Sequence, residues 1–89
     1  MRVNHNFIFR KVAREDLLIP AGAAALKVKG LVAMSESGSL LYQKLQSECT
    51  REDLIAALLA EYDVPADVAE QDVDAFLDQM RQLDMLVED

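Results

Sequence analysis

Apolar and polar positions along the chain change period partway through, and the change divides it into elements. From Phe7 to Val12 the run Phe-Ile-Phe-Arg-Lys-Val is rich in β-formers and partly alternates. Phe7 and Phe9 fall on one face, and Ile8, Arg10 and Val12 on the other. Ala13 to Asp16 is short and polar, as in a turn. Leu17-Leu18-Ile19 then returns as a second strand, stopped by Pro20, which cannot donate to a ladder. A hairpin is the expected result. Pro20 to Leu26 reads as a connection of small residues, and a third strand is expected from about Lys27 to Met34. Its Val28, Val32 and Met34 face one way; Lys27, Lys29, Leu31 and Ala33 face the other. Two lysines on one face, with Gly30 inside the run, suit a sheet edge better than a sheet centre.

Beyond Met34 the period becomes helical. Ser35, Ser37 and Ser39 are each able to cap a helix whose apolar stripe is Leu40, Leu41, Tyr42 and Leu45. Ser47-Glu48-Cys49 ends it. Thr50-Arg51-Glu52-Asp53 has the form of a capping box with Asp for the usual Glu, and Leu54, Ile55, Leu58, Leu59 and Tyr62 follow at helical spacing. Asp63-Val64-Pro65 breaks that helix, because proline is tolerated only at a helix start.

The last helix, roughly 66–84, starts at Asp67 with Glu70 three residues on and carries a stripe of Ala69, Val73, Phe76, Leu77 and Met80. At about 100° per residue, one flank holds Val68, Asp72, Ala75, Gln79 and Leu83, and the opposite side holds Glu70, Asp74, Asp78 and Arg81. Met85-Leu86-Val87 adds a short extended tail. The order β-β-β-α-α-α describes an α+β domain over residues 1–89, a three-stranded antiparallel sheet followed by three helices.

Composition narrows the setting. Eighty-nine residues with 52% apolar and 28% charged content make a globular chain. A chain of this size buries a little over ~60% of its unfolded surface. With one cysteine, Cys49, no intramolecular disulfide can form, and a reducing compartment is expected. No apolar run approaches the roughly 18–20 residues that cross a bilayer, and Met-Arg-Val-Asn-His-Asn-Phe lacks a signal-peptide core. The expected location is soluble and cytoplasmic, away from membranes. The net charge of −7 is unevenly spread. Residues 1–30 carry six bases against two acids, while residues 31–89 carry three bases against fourteen acids.

Candidate chemistry is sparse. His5 is the single histidine, among asparagines, and Cys49 has no second thiol and no local histidine to activate it. There is no His/Cys set at metal-ligand spacing, no Gly-rich phosphate loop and no Gly-x-Ser-x-Gly elbow. No catalytic residue, metal or cofactor is therefore expected. Acyl carrier proteins load a Ser in Asp-Ser-Leu at a helix start; here Gly38 precedes Ser39-Leu40, and a strand-rich first third has no place in a helical carrier. Nucleic-acid binding is opposed by charge. A reading helix must neutralise phosphates, yet residues 66–84 hold Asp67, Glu70, Asp72, Asp74, Asp78 and Asp84 against Arg81 alone. The third strand has two readings from residues alone. Its free edge could accept an added peptide strand, or its lysines could simply protect that edge from aggregation.

From Lys29 to Leu86 the chain resembles the PqqD-like proteins, named for a pyrroloquinoline quinone biosynthesis protein. The family's Leu-Asn-Glu-Thr-Gly-Ala turn matches Met34-Ser35-Glu36-Ser37-Gly38-Ser39, and its apolar-Trp helix matches Leu41-Tyr42 through Leu45. Its Thr…Glu-Leu…Leu…Tyr-Asp helix matches Thr50, Asp53-Leu54, Leu58 and Tyr62-Asp63. Its Asp-Val…Phe-Leu…Leu helix matches Asp72-Val73, Phe76-Leu77 and Met80, and its Gly-Leu-Leu ending matches Asp84-Met85-Leu86. The departures are Ser35 for Asn, Tyr42 for Trp and Asp84 for Gly. Ser also caps helices, and Asp adopts a left-handed cap at modest cost.

The resemblance implies a winged-helix-like, non-catalytic peptide chaperone. Such a domain binds the leader of a ribosomally made precursor peptide and presents it to a modifying enzyme, often a radical SAM enzyme. The leader adds as a strand to the third strand and lies against the last helix. Carried onto this chain, the pairing strand is Val28, Lys29, Gly30, Leu31, Val32 and Ala33, and the groove wall is Val68, Asp72, Ala75, Gln79 and Leu83. The alternative is a regulatory or scaffold module holding a protein partner in the same groove.

The charge split adds one expectation, that acidic residues of the leader meet Lys27 and Lys29. Replacing both lysines with Glu should weaken leader binding and flatten its salt dependence in a titration at several ionic strengths. Unchanged affinity at low salt would remove the idea.

Overall fold

The computed structural model describes every residue except Ala23, Lys29 and Asp89, and only the backbone of Lys27. Its elements in chain order are β1 (Arg2–Val3), β2 (Phe7–Val12), β3 (Glu15–Pro20), α1 (Ala24–Lys27), β4 (Val32–Met34), α2 (Glu36–Lys44), α3 (Arg51–Glu61), α4 (Ala66–Gln82) and β5 (Leu86–Val87). Strands β2, β3 and β4 form an antiparallel sheet in that order, and β1 pairs separately with β5. The α+β class, with a three-stranded antiparallel sheet followed by three long helices, is as expected.

The hairpin registers Phe7 against Pro20 and Val12 against Glu15, so Ala13 and Arg14 form a two-residue loop. Their φ values, 51° and 71°, are both positive, as a type I′ turn requires. Neither is the Asn or Gly that such turns favour, which is why polarity alone spread the turn over Ala13 to Asp16. This register points Phe7, Phe9 and Leu18 inward, and Phe9 stacks on Tyr42 of α2 with ring centroids 5.5 Å apart. Ile8 and Val12 stay on the open face of the sheet.

The third strand is shorter than expected. Ala24–Lys27 is a single helical turn, closed by the Val28 N–H donating to the Ala24 carbonyl at 2.9 Å, and only Val32–Met34 pairs with β3. Alanine and leucine favour helix over strand, and that propensity prevails over a period-2 pattern this short. Gly30, at φ 88°, turns the chain between the two elements.

Helix starts and stops follow local chemistry. Of the three candidate serines, Ser35 caps α2, its Oγ accepting from the Gly38 N–H at 3.1 Å. Ser39 is instead buried, and its hydroxyl donates to Asp16 Oδ2 at 2.7 Å, tying α2 to β3. The capping box at α3 is complete. Asp53 N–H donates to Thr50 Oγ1 at 3.1 Å, and Thr50 N–H donates to Asp53 Oδ2 at 2.9 Å. At the far end of α4, Asp84 takes the left-handed position at φ 58°. Met85 N–H then bonds the Met80 carbonyl at 2.8 Å, and Asp84 N–H bonds the Arg81 carbonyl at 3.0 Å, which is a Schellman motif with Asp where Gly is usual.

That turn folds the tail back onto the core. Asn4 N–H bonds the Met85 carbonyl and Val3 N–H bonds the Leu45 carbonyl, so Val3 and Met85 are fully buried between α2, α4 and the β1–β5 pair. The α4 stripe of Ala69, Val73, Phe76, Leu77 and Met80 is buried as expected, together with Leu41, Tyr42, Leu45, Leu54 and Leu58. Leu59, expected on the apolar face of α3, is 41% exposed. Between Leu54, Ile55, Leu58 and Tyr62 the stripe is already wide enough, and residue 59 falls past its edge.

Truncating Met80 to Ala should cost about 2–5 kcal/mol of unfolding free energy, as for other fully buried large side chains. Leu59→Ala should stay within about 0.5 kcal/mol, as for surface positions. Denaturant titration of both variants tests the burial; equal losses would contradict it.

Candidate functional site

The site is built where the sheet ends and the helices begin. Strand β4 pairs with β3 through Asp16↔Met34, Leu17↔Ala33 and Leu18↔Val32. Among the described residues no strand pairs with its other edge. Half of its backbone polar groups therefore face outward, a template for a further strand. Val32 and Met34 lean on the core, and Ala33 points away from it.

Gly38 joins β4 to the helices. A Cβ at this position would stand 3.1 Å from Ser35 Oγ, 3.5 Å from Met34 Cε and 3.8 Å from Phe76 Cδ1. The end of β4, the first turn of α2 and the buried stripe of α4 thus meet around a residue without a side chain. Beside this junction opens a cleft of about 350 Å³, lined by Ser35, Glu36, Ser37, Leu58, Tyr62, Val64 and Asp72. Its volume lies at the lower end of the range for ligand clefts.

The predicted wall is only partly drawn together. Asp72 lines the cleft, whereas Val68, Ala75, Gln79 and Leu83 do not. Val68, Ala75 and Gln79 are exposed along the same flank of α4, and Leu83 is half-buried against the core. On the strand side, Val28 is half-buried and Gly30 lies in the bend, so the regular part of the predicted pairing run is Val32 and Ala33, extended by Met34. Leu31 is 59% exposed, and Leu26, which sequence reasoning placed in a connection, is 88% exposed. Both lie in the segment that leads into β4. Lys29 and the side chain of Lys27 are outside the described residues.

Sequence reasoning missed the cleft itself. Ser35 and Ser37 were read as caps, and Leu58 and Tyr62 as one core stripe. Nothing in a linear pattern shows that the last turn of α3 and the start of α2 border one cleft.

Charge is distributed with the same selectivity. Arg51 forks onto Asp74 at 2.8 and 3.0 Å, linking α3 to α4. Its hydrogen bonds hold the Asp74 carboxyl below the usual carboxylate range. Arg81 bonds Asp78 and Glu88 at 2.9 Å each and likewise holds Glu88 low. Glu36 and Asp72, on the cleft, have no such cation among the described residues. The Cys49 thiol is pushed up by burial, the direction opposite to nucleophile activation. No helix among the described residues is long and apolar enough to cross a membrane.

The model of one protein family, described as coenzyme PQQ synthesis protein D (PqqD), matches residues 22–86. No curated protein matches the chain. Two solved structures share its fold. TbiB1 in complex with the TbiA(beta) leader peptide superposes with a TM-score of 0.76 at 21% identity, covering 100% of both chains. Lasso peptide synthetase B1 complexed with the leader peptide superposes with a TM-score of 0.75 at 17% identity, covering 98% of this chain and 96% of that one.

The bend before β4 gives a local test. Nothing lies within 4 Å of a Cβ built on Gly30, so Gly30→Ala introduces no clash. The left-handed φ should nevertheless cost about 1–2 kcal/mol, read from the denaturant midpoint. A variant as stable as the parent would mean that the bend is not populated in solution.

Proposed function

We propose, since the chain belongs to the PqqD family, that it is a non-catalytic module that binds the leader of a ribosomally made precursor peptide. The module presents that peptide to a modifying enzyme in the cytoplasm. The observation that carries the reading is the free edge of β4, set beside the exposed flank of α4 and the cleft at the start of α2. A leader adding to Val32–Met34 extends the sheet by a fourth strand. Two proteins with this fold are known in complex with leader peptides, which supports the same use of the surface here.

Magnitudes decide how affinity is divided. Each backbone hydrogen bond contributes a net ~0.5–1.5 kcal/mol. A three-residue edge offers few of them, against an association cost of at least about 4 kcal/mol. Strand pairing alone cannot hold a peptide. It sets the register, and side chains seated between β4 and α4 supply most of the affinity and the specificity. Leu31, Val68, Ala75 and Gln79 are exposed and suited to that contact.

The test is amide hydrogen exchange of the full chain, with and without a synthetic leader from a short precursor encoded beside its gene. At peptide concentrations about 100 times Kd, free-edge amides of Val32–Met34 should exchange more slowly by about two orders of magnitude. Protection confined to the outer face of α3, or produced only by a large folded partner, would favour a scaffold role and sink the leader reading.

A further inference from the structure

The cleft between the start of α2, the end of α3 and α4 has an unusual lining. Leu58, Tyr62 and Val64 form an apolar wall, while the two ionisable groups are both carboxylates, Glu36 and Asp72. Glu36 alone would say nothing, because a carboxylate in the first turn of α2 is favoured by the helix dipole. Asp72 has no such reason. It sits in the second turn of α4, and the neighbouring acids Asp74 and Asp78 each have an arginine while it has none among the described residues. Both carboxylates are solvent-exposed and border the same cleft as the apolar wall, so together they favour a cation there over an anion.

We propose that this cleft receives a lysine or arginine side chain of the bound leader. The inference rests on the leader-binding reading and names a chemical class for one subsite within it. The aliphatic stem of a basic side chain covers Leu58, Tyr62 and Val64, and its cationic head reaches the two carboxylates. A volume of about 350 Å³ admits one long side chain. An apolar side chain would leave both carboxylates without a counter-charge, and an acidic one would be repelled by them. Ser35 and Ser37 are neutral and already hydrogen-bond the Gly38 N–H and each other at 3.3 Å, so the carboxylates are the stronger partners for a cation. Continuity also favours a leader residue. Ser35 follows Met34 directly, so a strand lying along β4 runs to the mouth of the cleft.

The test selects a display library of random extended peptides against the full chain, then measures the enriched peptides by titration. One position should be fixed as Lys or Arg. Replacing that residue with norleucine, which keeps the stem and loses the charge, should weaken binding by about two- to fivefold. Asp72→Asn and Glu36→Gln should each lower affinity for the basic peptide and leave the norleucine peptide nearly unchanged, a coupling that a purely structural role would not produce. Melting curves confirm that both variants fold. Enriched peptides without a basic position, or affinity indifferent to both substitutions, overturn the inference and leave leader binding intact. If no peptide is enriched at all, the leader-binding reading falls and takes this subsite with it.

Discussion

The buried stripe of α4 is the constraint on which the rest depends. Ala69, Val73, Phe76, Leu77 and Met80 lie at 3–4-residue spacing and are all lost to water, so the rotation of the helix about its axis is fully set. With one face committed to α2, α3 and the returning tail, the flank of Val68, Asp72, Ala75 and Gln79 has to face outward. The Schellman turn at Asp84 completes the arrangement. It reverses the chain so that Met85 fills the space beneath Met80 and β5 meets β1. A helix free to roll would present no defined wall.

The sheet contributes the opposite quality, an edge left unfinished. Strand β4 is three residues long and is preceded by a left-handed bend, and both features limit unwanted pairing by a flat, exposed edge. The same brevity makes the edge a weak binder by backbone alone, which shifts affinity to side-chain contacts. A short edge beside a rigid helix therefore separates two tasks. On the proposed reading, the strand would align a peptide, and the helix side with its adjoining cleft would choose among peptides.

Electrostatics follow that separation. The arginines of the helical part, Arg51 and Arg81, are spent on joining α3 to α4 and α4 to its own C-terminal segment. These exposed pairs add little stability individually. Glu36 and Asp72, by contrast, have no ion-pair partner among the described residues and border the same cleft.

Much of this was legible from the chain alone, for reasons of short range. Helical period, the Thr50–Asp53 box and the proline at 65 determined α3 and α4 because they act within a few residues. The alternation of Phe7 to Val12 separated the two faces of the sheet, and tertiary packing decided that Phe7 and Phe9 face inward. The PqqD-like signature of residues 29–86 rests on the same local features. The third strand was overextended because helix propensity at Ala24 to Lys27 and the left-handed bend at Gly30 compete with a period-2 pattern too short to decide between them. Only tertiary structure decided that Ser39 would face Asp16, that Leu59 would be left outside, and that Ser35, Leu58 and Asp72 would border one cleft. Those outcomes depend on the distances between helices, and a linear pattern of polarity carries the direction of each side chain about its own axis but not the gap to its neighbour.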